Sequence, residues 1–177
     1  MKKIVLLGAP GCGKGTQSKF LVSKLNFFQL STGDLLRDQT SDQNSKYGQK
    51  INMIMKKGDL VPDEIVINLI IEKLKLLKSE NIIFDGFPRN INQATVLDKS
   101  LEEISISLDF AILIDVDFEI LEQRIKNRIK ESKNHEKRED DNIETLLKRI
   151  EVYKNNTFPI IDYYKKKGIL KNINGMS

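Results

Sequence analysis

Ile4-Val5-Leu6-Leu7-Gly8-Ala9-Pro10-Gly11-Cys12-Gly13-Lys14-Gly15-Thr16 is the stretch on which the reading of this chain turns. Its apolar opening has the length of a strand buried on both faces. The glycines that follow let the backbone fold around an anion with several N–H groups aimed inward. A helix beginning at about Gly15 adds the positive end of its dipole. Lys14 can reach the bridging and terminal phosphates, and the Thr16 hydroxyl falls where a magnesium shell is expected. Gly15, standing between the lysine and the threonine, departs from the plain phosphate-loop pattern. The stretch predicts that a nucleoside triphosphate binds. Taken alone, it leaves kinase, ATPase and GTPase all open.

Outward from this loop, apolar strand-length runs alternate with segments of helical spacing. Helices are expected to Leu25, over Thr32–Asp42, Lys46–Lys57 and from Pro62 to about Leu77, then over Asn90–Ser100, Phe118–Ile129 and Asp140–Tyr153. Strands are expected at Phe27–Leu30, Ile82–Phe84, Phe110–Ile114 and Ile169–Ile173. Gly58 is placed as a helix C-terminal breaker, and Asp63 and Glu64 complement a helix N-terminus. Pro159 marks a break or a fresh helix start before Tyr164. The polar segment Glu131–Lys137 reads as a loop. This alternation predicts an α/β fold: a three-layer α/β/α domain around a five-stranded parallel sheet. Ligands of such sheets bind beyond the carboxyl ends of the strands. Each notable motif here follows a strand, so all of them are expected to share one cleft.

Composition narrows the class. The chain has 177 residues, 40% of them hydrophobic and 31% charged, which suits one globular domain. A net charge of +4 does not point to nucleic acid, and it suits a protein that handles polyphosphates. The sole cysteine, Cys12, can form neither an intrachain disulfide nor a four-cysteine zinc site. No apolar run approaches membrane length, and no signal peptide is read at the start, so a cytoplasmic location is expected.

Several further segments resemble adenylate kinases, in that family's order. The loop Gly8–Thr16 matches the family's GxPGxGKGT variant, which accounts for Gly15. Ser31-Thr32-Gly33-Asp34-Leu35-Leu36-Arg37 resembles the start of its AMP-binding helices, and Gly58-Asp59-Leu60-Val61-Pro62-Asp63 their end. Phe84-Asp85-Gly86-Phe87-Pro88-Arg89, followed by Gln93, resembles its central strand and AMP loop. Arg124 and Arg128 match the helix entering the lid. Arg138-Glu139-Asp140-Asp141 and Arg149 match the helix leaving it. The resemblance covers nearly the whole chain. It implies a P-loop nucleoside monophosphate kinase of the short-lid form. The core would comprise 1–30, 62–127 and 138–177, the AMP-binding subdomain 31–61 and the lid 128–137.

The resemblance also implies roles. Gly11, Cys12, Gly13, Lys14, Gly15, Thr16, Arg124 and Arg128 would bind ATP, with Arg124 stacked on its adenine. Thr32, Arg37, Asp59, Leu60, Val61, Gly86, Phe87, Pro88, Arg89, Gln93, Arg138 and Arg149 would bind AMP. Lys14, Arg89, Arg128, Arg138 and Arg149 would surround the transferring phosphoryl group. Asp85 would order Mg²⁺ through water near Thr16. The implied reaction is reversible, ATP plus AMP giving two ADP, by a monomer without structural zinc, nucleic acid or membrane partner. The chemistry agrees: phosphoryl transfer asks a protein mainly to hold two polyanions in line, and planar guanidinium forks grip phosphate bidentately.

Alternatives stay open at the level of sequence. Asp140 and Asp141 either hold the lid arginines or cap a helix, and His135 reads as a solvated loop residue. Thr32 and Gln93 favour adenine as the acceptor base; a UMP/CMP kinase is the nearest rival. A nucleotide-binding protein with impaired catalysis is the rival from another class. The family continues past a segment like Ile173-Asn174-Gly175 into a final helix, whereas this sequence stops at Ser177. Lower stability or an exposed apolar patch is the corresponding expectation.

Overall fold

The structure, a computed structural model, describes residues 1–77, 81–131 and 142–176. Five strands form one parallel sheet: β1 Lys3–Leu7, β2 Phe27–Ser31, β3 Asn81–Asp85, β4 Phe110–Asp115 and β5 Leu170–Asn174. Their spatial order is β2-β3-β1-β4-β5. β1 lies at the centre and is buried along its whole length, as its unbroken apolar run requires. It pairs Leu6 with Asp85 on one side and Leu7 with Leu113 on the other. β2 pairs with β3 and ends with Ser31 opposite Asp85. Register therefore gathers the ends of β1, β2 and β3 at one rim of the sheet.

The helices are α1 Lys14–Leu25, α2 Thr32–Ser41, α3 Gly48–Lys57, α4 Asp63–Leu76, α5 Ile91–Glu103, α6 Phe118–Glu131, α7 Ile143–Val152 and α8 Pro159–Lys166. Side-chain caps start several of them: Ser31 accepts from the Asp34 N–H, Asn90 from the Gln93 N–H and Asn142 from the Thr145 N–H. The largest core cluster joins Val5, Phe84, Ala111 and Leu113 of the sheet to Ile70 of α4, Leu97 and Leu101 of α5, and Ile160 and Tyr164 of α8. A second cluster lies beneath the glycine loop, where Ala9 and Cys12 meet Leu121, Ile125, Leu146, Ile150 and Tyr153. Burial there, with the nearby Cys12 and Asp115, pushes the Tyr153 phenol up to about 12.

Sequence and structure differ in a few places. α3 starts at Gly48, not at Lys46, because Asp42–Tyr47 is held in turns by Ser45 and Asp42 hydrogen bonds. Pro62 is the cap before α4 and not a residue of its first turn. The first described residue of α7 is Ile143, and its cap is Asn142, so the capping role considered for Asp140 and Asp141 falls to the asparagine. Around Pro159 the chain does not break. Tyr153–Thr157 forms a π-helical turn that carries α7 into α8, with the proline at the first position of α8, where its missing N–H costs nothing. Of the lid expected at 128–137, residues 128–131 belong to the end of α6, and the rest, with His135, Arg138, Asp140 and Asp141, lies outside the described residues, as does the side chain of Arg128. Phe20 and Leu25 of α1 and Ile173 of β5 are exposed apolar residues.

Tyr164 is fully buried, yet among the described residues its hydroxyl has no hydrogen-bond partner. Burial and the nearby Asp98 charge push its phenol strongly up, so it stays neutral. An unpaired buried hydroxyl is a cost and not a contribution. Tyr164→Phe is expected to leave unfolding free energy unchanged or to raise it by up to about 1 kcal/mol in a urea titration.

Candidate functional site

The glycine loop leaves β1 and turns into α1 in the manner its sequence requires. Gly8 has φ 146°, and a Cβ there would sit 2.5 Å from Cys12 Sγ and 2.9 Å from the Ile114 carbonyl. The Cys12 N–H donates to the Ala9 carbonyl at 3.2 Å, and the thiol side chain is buried. Cys12 therefore anchors the loop from below, and what it can offer a phosphate is backbone. Lys14 Nζ curls over the loop and donates to the carbonyls of Gly8, at 2.7 Å, and Ala9, at 3.1 Å. Gly15 and Thr16 are exposed at the start of α1.

Asp85 ends β3 next to β1. Its Oδ2 accepts from Gln29 Nε2 at 2.8 Å and from Ser18 Oγ at 3.4 Å. Ser18 lies one turn beyond Lys14 and is fully buried. The carboxylate is thus tied to the helix that carries Lys14 and Thr16. Neither Ser18 nor Gln29 was singled out in the sequence. An amide inside the apolar run Phe27-Phe28-Gln29-Leu30 is a legible signal, since such a group has to find a partner.

The next residues form a second knot. Thr32 is buried, and its hydroxyl donates to the Gly86 carbonyl at 2.8 Å. Arg89 Nε donates to the same carbonyl at 2.7 Å, and the Arg89 carbonyl accepts from Thr157 Oγ1 of the π-helical turn at 2.7 Å. The Phe87-Pro88 peptide is cis, and the Phe87 side chain belongs to the core. Gln93 is buried; its Oε1 accepts the Arg89 N–H at 2.8 Å and its Nε2 donates to Asp63 at 2.7 Å. Asp63 also receives Asn90 and Asn92. Burial acts to raise its pKa, but these three amide donors outweigh that and hold it below the usual aspartate range. The resulting stabilisation is complete above the ordinary aspartate pKa and is lost as pH falls through the depressed one.

Other expected residues are distributed around these knots. Arg37 pairs with Asp34 one turn earlier on α2. Val61 is buried and Leu60 partly so. Asp59 pairs with Lys148 of α7 at 2.9 Å, and Thr145 Oγ1 of α7 donates to the Lys56 carbonyl at 2.9 Å, so the end of α3 rests on α7. Arg149 lies on α7, half-buried. Arg124 of α6 donates to the Gly175 carbonyl beyond β5 at 2.8 Å. The chain contains only six arginines among 29 Lys and Arg, and all six are residues singled out above.

A parallel sheet with a glycine-lysine loop after its central strand, and a carboxylate on the neighbouring strand, defines a P-loop nucleotide-binding protein. Comparison with known proteins sharpens the class: a family model described as Adenylate kinase matches residues 6–169. The chain is similar to "Adenylate kinase" of Prochlorococcus marinus, at 44% identity over 173 residues, 98% of this chain and 90% of the relative. It is 43% identical over 173 residues to "Adenylate kinase" of Thermus thermophilus, covering 98% of this chain and 88% of the relative. For "Adenylate kinase" of Parvibaculum lavamentivorans the identity is 45% over 175 residues, with 98% and 84% covered. The chain belongs to the adenylate kinase family.

Gly86 has φ 76°, and a Cβ added there would lie 2.8 Å from Thr32 Oγ1 and 3.2 Å from an Arg89 guanidinium nitrogen. Gly86→Ala is expected to destabilise the fold by roughly 1–3 kcal/mol and to raise the KM for AMP while leaving the KM for ATP near its original value. Denaturant unfolding and separate titration of the two substrates read both effects.

Proposed function

We propose that the protein carries out the family's reaction, reversible phosphoryl transfer from ATP to AMP giving two ADP, with the glycine loop holding ATP and the Thr32–Gly86–Arg89 knot holding AMP. The single observation that carries this division is the Asp85–Ser18 contact together with the Thr32–Gly86 bond. They support it because a second polar knot, with its arginine, lies just beyond the end of β3, the strand next to the one that carries the glycine loop. A hydrolase has no use for such a second basic site.

The residues divide the work by chemistry. Loop N–H groups from Gly11 to Gly15 and the dipole of α1 face the triphosphate. Lys14, now on loop carbonyls, supplies a mobile ammonium for charge developing on bridging and terminal oxygens. Arg37 and Arg89 grip the phosphate of AMP, while Asp59, Leu60, Val61, Phe87 and Pro88 line its base and sugar. Arg128, Arg138 and Arg149 gather charge around the transferred group, and Arg124 covers the adenine of ATP. The donor set suits magnesium: Asp85 offers a carboxylate and Thr16 a hydroxyl, hard oxygens that leave room for waters and phosphate. When bound, Mg²⁺ would neutralise charge on the phosphates, with Asp85 holding its waters and Ser18 and Gln29 holding Asp85. The subdomain 31–61 and the lid 128–137 would close to exclude water, which competes for the phosphoryl group. Thr32 and Gln93 support AMP over a pyrimidine acceptor. A cytoplasmic monomer acting on these nucleotides alone is the working picture. Among the described residues no helix is long and apolar enough to cross a membrane.

The deciding assay is ADP formation from AMP and MgATP by the wild type and two variants. Lys14→Ala is expected to lower kcat by at least about 100-fold. Arg89→Ala is expected to act mainly on AMP use, lowering kcat/KM for AMP by roughly 30-fold, the equivalent of about 2 kcal/mol for a charge-assisted contact. Absence of ADP with folded wild-type protein would favour a binding protein over an enzyme.

A further inference from the structure

Asp63, the first residue of α4, collects three amide side chains from the start of α5. Its Oδ1 accepts from Asn90 Nδ2 at 2.8 Å and from Gln93 Nε2 at 2.7 Å, and its Oδ2 accepts from Asn92 Nδ2 at 2.8 Å. These hydrogen bonds all reach a carboxylate that can only accept, so the nitrogen end of each amide has to face it. For Asn92, exposed on the surface, this matters little. For Gln93, which is 1% exposed, it decides which way the amide points.

The second constraint on Gln93 is the Arg89 N–H, which can only donate and takes Oε1 at 2.8 Å. A carboxamide has two N–H donors and two lone pairs. One of each is committed, so one N–H and one lone pair remain, in a fixed order. Adenine presents an exocyclic amine donor beside a ring-nitrogen acceptor, which this remainder complements. Hypoxanthine presents the reverse, a carbonyl beside a ring N–H, and would need the amide turned over. A free glutamine could turn at the cost of a rotation about its last torsion. Gln93 cannot turn without setting an N–H against an N–H and an oxygen against a carboxylate.

We propose that Asp63 is a positioning residue for base selection: it locks the Gln93 amide in the orientation that accepts adenine and rejects a 6-oxopurine. This rests on the reading above that Gln93 faces the base of AMP. Asp63 itself need not touch the nucleotide. Its other available role is generic, a negative charge at the positive end of α4. The two roles make opposite demands on substitutions.

The test compares kcat/KM for AMP with that for IMP, with MgATP as donor. Asp63→Asn removes the charge but can still aim an oxygen at Asn90 and Gln93, because exposed Asn92 is able to turn its own amide to meet the new nitrogen. It is expected to keep the wild-type AMP/IMP ratio within about three-fold. Asp63→Glu keeps the charge but displaces the acceptor by a methylene. It is expected to lower the ratio by about ten-fold or more, with the KM for ATP unchanged. The reverse order, or equal behaviour of the two variants, would overturn the proposal. Gln93→Leu separates the two levels of the argument. If it abolishes discrimination while Asp63→Glu does not, the base reading stands and the role of Asp63 falls. If Gln93→Leu leaves the ratio intact, the base reading itself fails.

Discussion

The placement of β1 between β3 and β4 is the constraint from which the rest follows. A parallel sheet fixes both direction and register, so pairing Leu6 with Asp85 and Leu7 with Leu113 sets where three successive loops emerge. Gly8 has to turn beside the end of β3, and Asp85 has to end beside the glycine loop. No side chain at the rim needs to reach far. Ser18, a turn into α1, already touches Asp85, and Thr32, the first residue of α2, already touches Gly86. Shifting β1 by a single residue would exchange the two layers that its side chains pack against and move the loop away from the carboxylate.

Around that rim the sequence spends its special residue types sparingly. The positive charge of the chain is mostly lysine, whereas each of the six arginines is a residue to which the proposed arrangement gives a nucleotide contact. A lysine offers a hydrated point charge, and a guanidinium offers a rigid fork that loses less freedom per bond formed. The same economy governs the neutral amides. Gln29, partly buried, is placed against Asp85, and Gln93, fully buried, against Asp63, each an amide answered by a carboxylate. Polar groups so placed are costly when unpaired, which makes them orienting devices as well as contacts.

Much of this was legible in the residue order. The central strand, the loop, the alternation of strands and helices, and the motif after β3 all carry local signals, and five parallel strands followed from them. The sharing of one rim by the glycine loop, Thr32 and Gly86 was recoverable because each motif begins where a strand stops. What could not be read was pairing across distance. Asp63 looked complete as an acid at a helix N-terminus, so nothing in its neighbourhood announced the amides it receives from α5. Thr157 gave no sign of its bond to Arg89, because a π-helical turn depends on one extra residue that has no composition of its own. The proline that follows read as either a break or a fresh helix start, and the structure has the second. In the fold it occupies the single turn where a missing N–H is harmless. Arg124 was identified by type and position, but its partner, the Gly175 carbonyl, belongs to tertiary structure, whereas Asp34, the partner of Arg37, stands only one turn away on the same helix.

The ammonium of Lys14 resting on two peptide oxygens has a consequence for how nucleotide affinity is set. A cation held by carbonyl dipoles has already shed much of its hydration shell before any ligand arrives. When a triphosphate enters, the transaction is a swap of oxygen neighbours and not the stripping of a fully solvated charge. The penalty is correspondingly smaller, and the net gain is the difference between a phosphoryl oxygen and two carbonyls. The more negative the arriving oxygen, the larger that difference becomes. The loop is therefore graded by charge: it rewards a neutral or weakly anionic guest poorly, and rewards a guest more strongly as negative charge accumulates on the atoms that reach it.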